Sequence, residues 1–119
     1  MGKMSRDKGK RGEREIASIL RSYGYGECHR GQQYNGADGS ADVIGLSRVH
    51  LEIKRVEKLN IYDAMNQSKR DAESAGQKEI PVVMHRKNHC RWLVTMDLDD
   101  WINLYREWEI SMEMRNETD

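Results

Sequence analysis

The sequence predicts an α/β domain in which helices flank a mixed β-sheet, with elements in the order αβββαββα. Three observations carry that expectation. Stretches rich in β-branched and aliphatic residues recur in pairs, "ADVIGL" with "VHLEIKRV" and "IPVVMHR" with "CRWLVTM". Segments with helically spaced apolar residues precede, separate and follow those pairs. No repeat, low-complexity stretch or linker divides the chain, and 119 residues suffice for one domain with a modest core.

The first helix is expected from about Lys10 to Tyr23, where Ile16, Ile19, Leu20 and Tyr23 fall at helical spacing and Gly24 acts as a stop. "YGECHRG" then reads as a short strand, and "QQYNGADGS" as an irregular loop. That loop lacks the Gly-Lys-Ser/Thr ending of a phosphate cradle, which sets nucleotide binding aside. "SR" suits the turn of the first hairpin. A second helix follows, with Asn60 as N-cap, Ile61, Ala64, Met65, Ser68 and Ala72 as its inward stripe, and Gly76 as its stop. The second hairpin turns at "KNH". The last helix, about Leu98 to Ile110, is amphipathic through Leu98, Trp101, Ile102, Tyr105 and Trp108, and core packing is the expected fate of that stripe. Residues 1–9 read as a basic flexible arm, 10–110 as the single domain, and 111–119 as an acidic flexible tail.

Formal net charge is zero, but its distribution is uneven. From Asp97 onward there are eight acids and two bases, so the rest of the chain carries the compensating positive excess. Lys3, Arg6, Lys8, Lys10, Arg11 and Arg14 crowd the first fourteen residues against Asp7 and Glu13. Such an arm and basic body form a usable phosphate-binding footprint, with a solvated terminus as the competing reading. No apolar run approaches membrane-spanning length, and "MGKMSRDKGKRGER" lacks the apolar core of a signal peptide. A cytoplasmic location is expected, and two cysteines, Cys28 and Cys90, suit a reducing compartment. "CH" at Cys28–His29 and "HC" at His89–Cys90 match no zinc-finger spacing, and strand neighbours point to opposite faces.

The hairpin holds the chemistry. If it is centred near Ser47, Asp42 stands opposite Glu52. Glu52 and Lys54 point to one face, while Leu51, Ile53 and Arg55 point to the other. Two carboxylates directly opposite each other repel, so a cation between them is expected. Lys54 supplies part of that charge, and a divalent ion with oxygen ligands uses the pair better. A solvent-facing strand in which Glu52 and Lys54 offset one another is the alternative. Glu13 shares a helix face with Ile16, Ala17 and Leu20 and is expected to reach inward, whereas Glu15 lies toward Ile19 and Ser22 and reads as a surface charge.

Together these residues resemble the PD-(D/E)XK nuclease superfamily and, within it, the archaeal- and phage-type Holliday-junction resolvases. The resemblance rests on "KRGEREIASILRSYGY", "GSADVIGL" and "LEIKR", in order, and runs from about Lys10 to Val94. Ala41 stands where the family usually has proline. The resemblance implies a restriction-endonuclease-like fold and metal-dependent hydrolysis of DNA phosphodiester bonds, leaving a 5′-phosphate and a 3′-hydroxyl. Glu13, Asp42, Glu52 and Lys54 would be the catalytic set, with Glu13, Asp42, Glu52 and the carbonyl of Ile53 as metal ligands. Mg²⁺ is the implied ion, and Mn²⁺ is expected to substitute. Gln67 would support Lys54 or the attacking water, with an exposed helix glutamine as the competing reading. Ser40 falls near a position where such enzymes carry a functional serine, although a hydroxyl there also suits a turn.

The implied partners are DNA, most of all a branched or four-way junction, and a second copy of the chain in a homodimer to which Trp101, Tyr105 and Trp108 could contribute. Expected DNA contacts are Lys8, Lys10 and Arg11 of the arm, Arg30, Gln33 and Ser40 around the loop, and Arg55 with Lys58 past the second strand of the hairpin. Two rival functions remain open: a general nicking or flap nuclease with the same core, and a non-catalytic DNA-binding module with a nuclease fold.

Overall fold

Parallel strands require a long crossover, and here a helix supplies it. The computed structural model describes residues 3–31, 41–76 and 78–118, with side chains described for 8–31, 41–76 and 78–116. Strands β1 (His29–Arg30), β2 (Val43–Ile44), β3 (Val49–Arg55), β4 (Ile80–Arg86) and β5 (Leu93–Thr95) form one sheet in that spatial order. Helices α1 (Lys3–Ser22), α2 (Ile61–Ser74) and α3 (Leu98–Thr118) complete the expected αβββαββα order. β3 and β4 run parallel, from Val49↔Ile80 to Arg55↔Arg86, with α2 between them in sequence. The other three pairings are antiparallel.

Helices cover both faces of the central strands. Ile16 and Ala17 of α1 pack with Cys28, Val43, Leu51, Ile53 and Val82 on one face. Ala64 and Met65 of α2 pack on Val83 on the other. Consequently His50, Leu51, Glu52 and Ile53 are all buried, where a one-sided sheet would alternate. This excludes the solvent-facing alternative for Glu52, which is 2% exposed. Val43 pairs with Leu51, so the hairpin has the expected register. Arg48 turns it with φ 71°, and the following strand departs from there. Gly45 has φ 102°, and a Cβ there would collide with the Glu27 carbonyl, so only glycine fits that close approach. Asn60 caps α2 as expected, its side chain accepting from the Asp63 N–H at 3.1 Å.

Four expectations need correction. α1 begins at Lys3, ahead of Lys10, because Lys, Arg and Met in the arm are good helix formers without a stop signal before Gly9. α3 runs on to Thr118 because residues 111–118 contain neither glycine nor proline. Tyr23 is 77% exposed, since the helix ends at Ser22 before that side chain reaches the sheet. The aromatic stripe of α3 is not core: Trp101, Tyr105 and Trp108 are exposed, with Trp101 stacked on Tyr105 at a centroid distance of 5.4 Å and Tyr105 tilted against Trp108 at 5.6 Å. Among the described residues, no helix is long and apolar enough to cross a membrane.

Candidate functional site

Where β2 and β3 part, the backbone N–H of Ile53 is left facing a gap, and Asp42 fills it. Asp42 Oδ2 accepts that N–H at 2.8 Å. A strand residue turns its N–H and C=O to the same edge, so the Ile53 carbonyl also faces the Asp42 side. Burial pushes the Asp42 carboxyl above its ordinary pKa, against the Ile53 N–H and the nearby Lys54 ammonium.

Glu52 feels a harsher environment. Burial and the charge of Asp42 push its carboxyl up to about 8, Asp71 adds to the effect, and Lys54 opposes it. The two carboxyls share a hydrogen bond when Glu52 carries the proton. Glu52 Oε1 lies 3.8 Å from Lys54 Nζ, while its buried Oε2 has no hydrogen-bond partner. Lys54 Nζ donates to Gln67 Oε1 at 3.2 Å, so the strand lysine is held by the helix as well as by the acid. An orphaned carboxylate oxygen beside a second buried acid is a donor set short of positive charge. It fits a hard divalent cation with oxygen ligands.

Glu13 of α1 is coupled to this group by charge. Its Oε2 accepts from Arg30 Nε at 3.0 Å, yet burial and the field of Asp42 raise its carboxyl above the ordinary range despite Arg30. The structure therefore brings Asp42, Glu52, Lys54 and Gln67 into contact range and leaves Glu13 coupled to Asp42 through charge. Arg30, named as a DNA contact, is half-buried against Glu13. Arg55 turns to the α1 face, 3.8 Å from Glu15. Lys10, Arg11 and Lys58 are exposed and Lys8 is half-buried. Gln33 and Ser40 lie outside the described residues.

Glu15 is not the surface charge its helix position suggested. It accepts from Arg86 Nε and Nη2 at 3.0 and 3.2 Å and from Trp92 Nε1 at 2.7 Å. Burial works against its ionised form, but those hydrogen bonds and the charges of Arg86 and Arg55 outweigh it and lower its pKa. Gly12 allows this approach, because a Cβ there would sit 3.0 Å from Arg55 Cβ.

Sequence reasoning also passed over His50, Asp71 and Glu79. His50 is 1% exposed, neither ring nitrogen makes a hydrogen bond, and Nδ1 lies 3.5 Å from Glu79 Oε1. Strand alternation already puts His50 on the face of Glu52 and Lys54, which was the available signal. Nothing in the linear sequence says that Asp71 arrives there from α2. Comparison with known proteins finds no family model, no curated protein and no solved structure that matches this chain.

Proposed function

We propose that this protein is a metal-dependent, structure-specific DNA endonuclease of the Holliday-junction resolvase kind, hydrolysing phosphodiester bonds. The observation that carries this reading is the buried pair Asp42 and Glu52, opposite each other across the hairpin, with Lys54 beside Glu52. Opposed buried carboxylates destabilise a fold unless a cation offsets them, so the arrangement is costly without a ligand.

Asp42, Glu52 and the Ile53 carbonyl, with Glu13 as the further carboxylate, would hold Mg²⁺, or Mn²⁺ in its place. When bound, the ion supplies charge to a scissile phosphate and acidifies a coordinated water. Lys54 then faces the charge that develops on the phosphoryl oxygens, and an ammonium already oriented there needs no reorganisation. Gln67 positions Lys54 through its 3.2 Å hydrogen bond. Glu13 also holds Arg30 in an ion pair. The exposed bases Lys10, Arg11 and Lys58, together with Lys8, serve as phosphate contacts, which recognise shape over base order. A homodimer belongs to the same reading, with the exposed face of α3 as its surface. The free thiols of Cys28 and Cys90 suit a reducing, cytoplasmic setting.

The test is cleavage of a four-way junction, a flap and a linear duplex, each with Mg²⁺ or with chelator. Paired nicks confined to the junction, lost with chelator and in Asp42→Asn and Glu52→Gln, are expected. Equal cutting of all three substrates would mean a general nuclease, and binding without cutting a non-catalytic module.

A further inference from the structure

We propose that His50, Glu52 and Asp71 form a binding site for a first-row transition-metal ion of the Mn²⁺ to Zn²⁺ series, on the α2 face of the sheet, with Glu79 orienting His50. The site shares Glu52 with the nuclease reading but does not depend on that reading.

Among the described residues, these three are the group whose ligand atoms come together, all within 4.8 Å of one another. Bonds of about 2.0–2.2 Å to one ion need ligand atoms roughly 3–3.5 Å apart, so a small side-chain rotation closes the set. The orphaned atoms point to a missing partner. Both nitrogens of the fully buried His50 and Oε2 of Glu52 lack hydrogen bonds. Leaving such groups unsatisfied in the interior is costly, and an ion would satisfy two of them at once.

The packing explains how the ligands meet. α2 returns antiparallel to β3 as the crossover between two parallel strands. Two strand residues advance about 6.7 Å and four helix residues about 6 Å, so the two elements stay in step. Gln67 therefore meets Lys54, and one helical turn later Asp71 meets Glu52 and His50. Ser68 pins the contact, lying 3.4 Å from the His50 carbonyl oxygen and 3.3 Å from that of Val82.

Ligand chemistry selects the ion. One imidazole with two carboxylates suits Mn²⁺, Fe²⁺, Co²⁺ or Zn²⁺, whereas Mg²⁺ prefers oxygen alone. Glu79 Oε1 lies 3.5 Å from Nδ1, and a small movement would make the carboxylate–histidine pairing that fixes the tautomer of a metal-bound imidazole. Asp71 is the half-buried member and forms the entrance.

Co²⁺ is the probe, titrated into the full chain under excess Mg²⁺ and followed by its visible absorption. One equivalent is expected to bind. Affinity should fall at least tenfold in His50→Gln and in Asp71→Asn, and be kept within threefold in Glu15→Gln, on the α1 side of the sheet. Asp71→Asn decides the matter if His50→Gln does not fold. Absence of Co²⁺ uptake, or uptake undiminished in Asp71→Asn, would overturn the site. Because binding is read directly, a protein that takes up Co²⁺ but cuts no DNA refutes the nuclease reading alone.

Discussion

The side chain of Asp42 closes the edge of β3 by accepting the backbone N–H of Ile53 at 2.8 Å. One carboxylate thus serves the fold and the proposed metal site, and the two roles separate by substitution. Asp42→Asn keeps an oxygen acceptor, so the protein should fold with stability within about 1 kcal/mol of the wild type while losing Mg²⁺-dependent cleavage. Asp42→Ala orphans the Ile53 N–H and should cost about 1–3 kcal/mol in urea denaturation.

Gln67 touches Lys54 and, on this reading, acts through it. Gln67→Leu should lower kcat roughly tenfold with little change in KM, and shift the alkaline limb of the pH–rate profile. Lys54→Met should lower kcat by about 10²-fold or more. Gln67→Glu, which keeps an acceptor, should recover part of the loss. An unchanged pH profile in Gln67→Leu would reduce Gln67 to packing.

Glu52 gives the metal-free protein a defined pH dependence. Its folded carboxyl is raised to about 8 from an ordinary 4.5, so the native state holds a proton that the unfolded chain has lost. Stability from this group is therefore complete below about pH 4.5 and is lost as pH rises toward 8. Thermal melts in chelator should show Tm falling across that window. Mn²⁺ at pH 8 should restore it, and Glu52→Gln should flatten the slope.

Glu15 ties the α1 helix to β4 and to Trp92 through three hydrogen bonds. Removing it leaves Arg86 half-buried without its acid. Glu15→Ala should cost roughly 2–3 kcal/mol by denaturant titration, and Glu15→Gln less, with both variants retaining metal uptake.

The exposed face of α3 predicts association. Leu98, Trp101, Tyr105, Trp108 and Met112 recur at heptad spacing. Asp99 and Asp100 lie in its first turn and Arg115 in its last, so an antiparallel copy would set Arg115 beside the partner's acids. Three turns or more of paired helix would bury on the order of 1,000 Å², about what a specific interface needs. Sedimentation should show a dimer that Trp101→Glu with Trp108→Glu makes monomeric, and sedimentation of the wild type as a monomer would end this expectation.

Local pattern sufficed for the hairpin. Turn residues at Ser47 and Arg48 and alternation along "VHLEIKRV" are enough to set Asp42 opposite Glu52 and to put Lys54 on the same face, because strand geometry has a period of two. The same held for α2, whose cap at Asn60 and stripe through Ser68 are short-range features. Other assignments needed contacts across the chain. Glu15 meets Arg86 and Trp92 from 71 and 77 residues away, so its helix neighbours gave no hint of burial. Asp71 reaches Glu52 only because α2 packs antiparallel on β3, and the α3 stripe stays exposed even though Leu93 and Val94 of β5 are uncovered too. Periodicity says which residues share a face. What lies opposite that face is decided by packing, since a buried charge takes its partner from whichever element is folded against it.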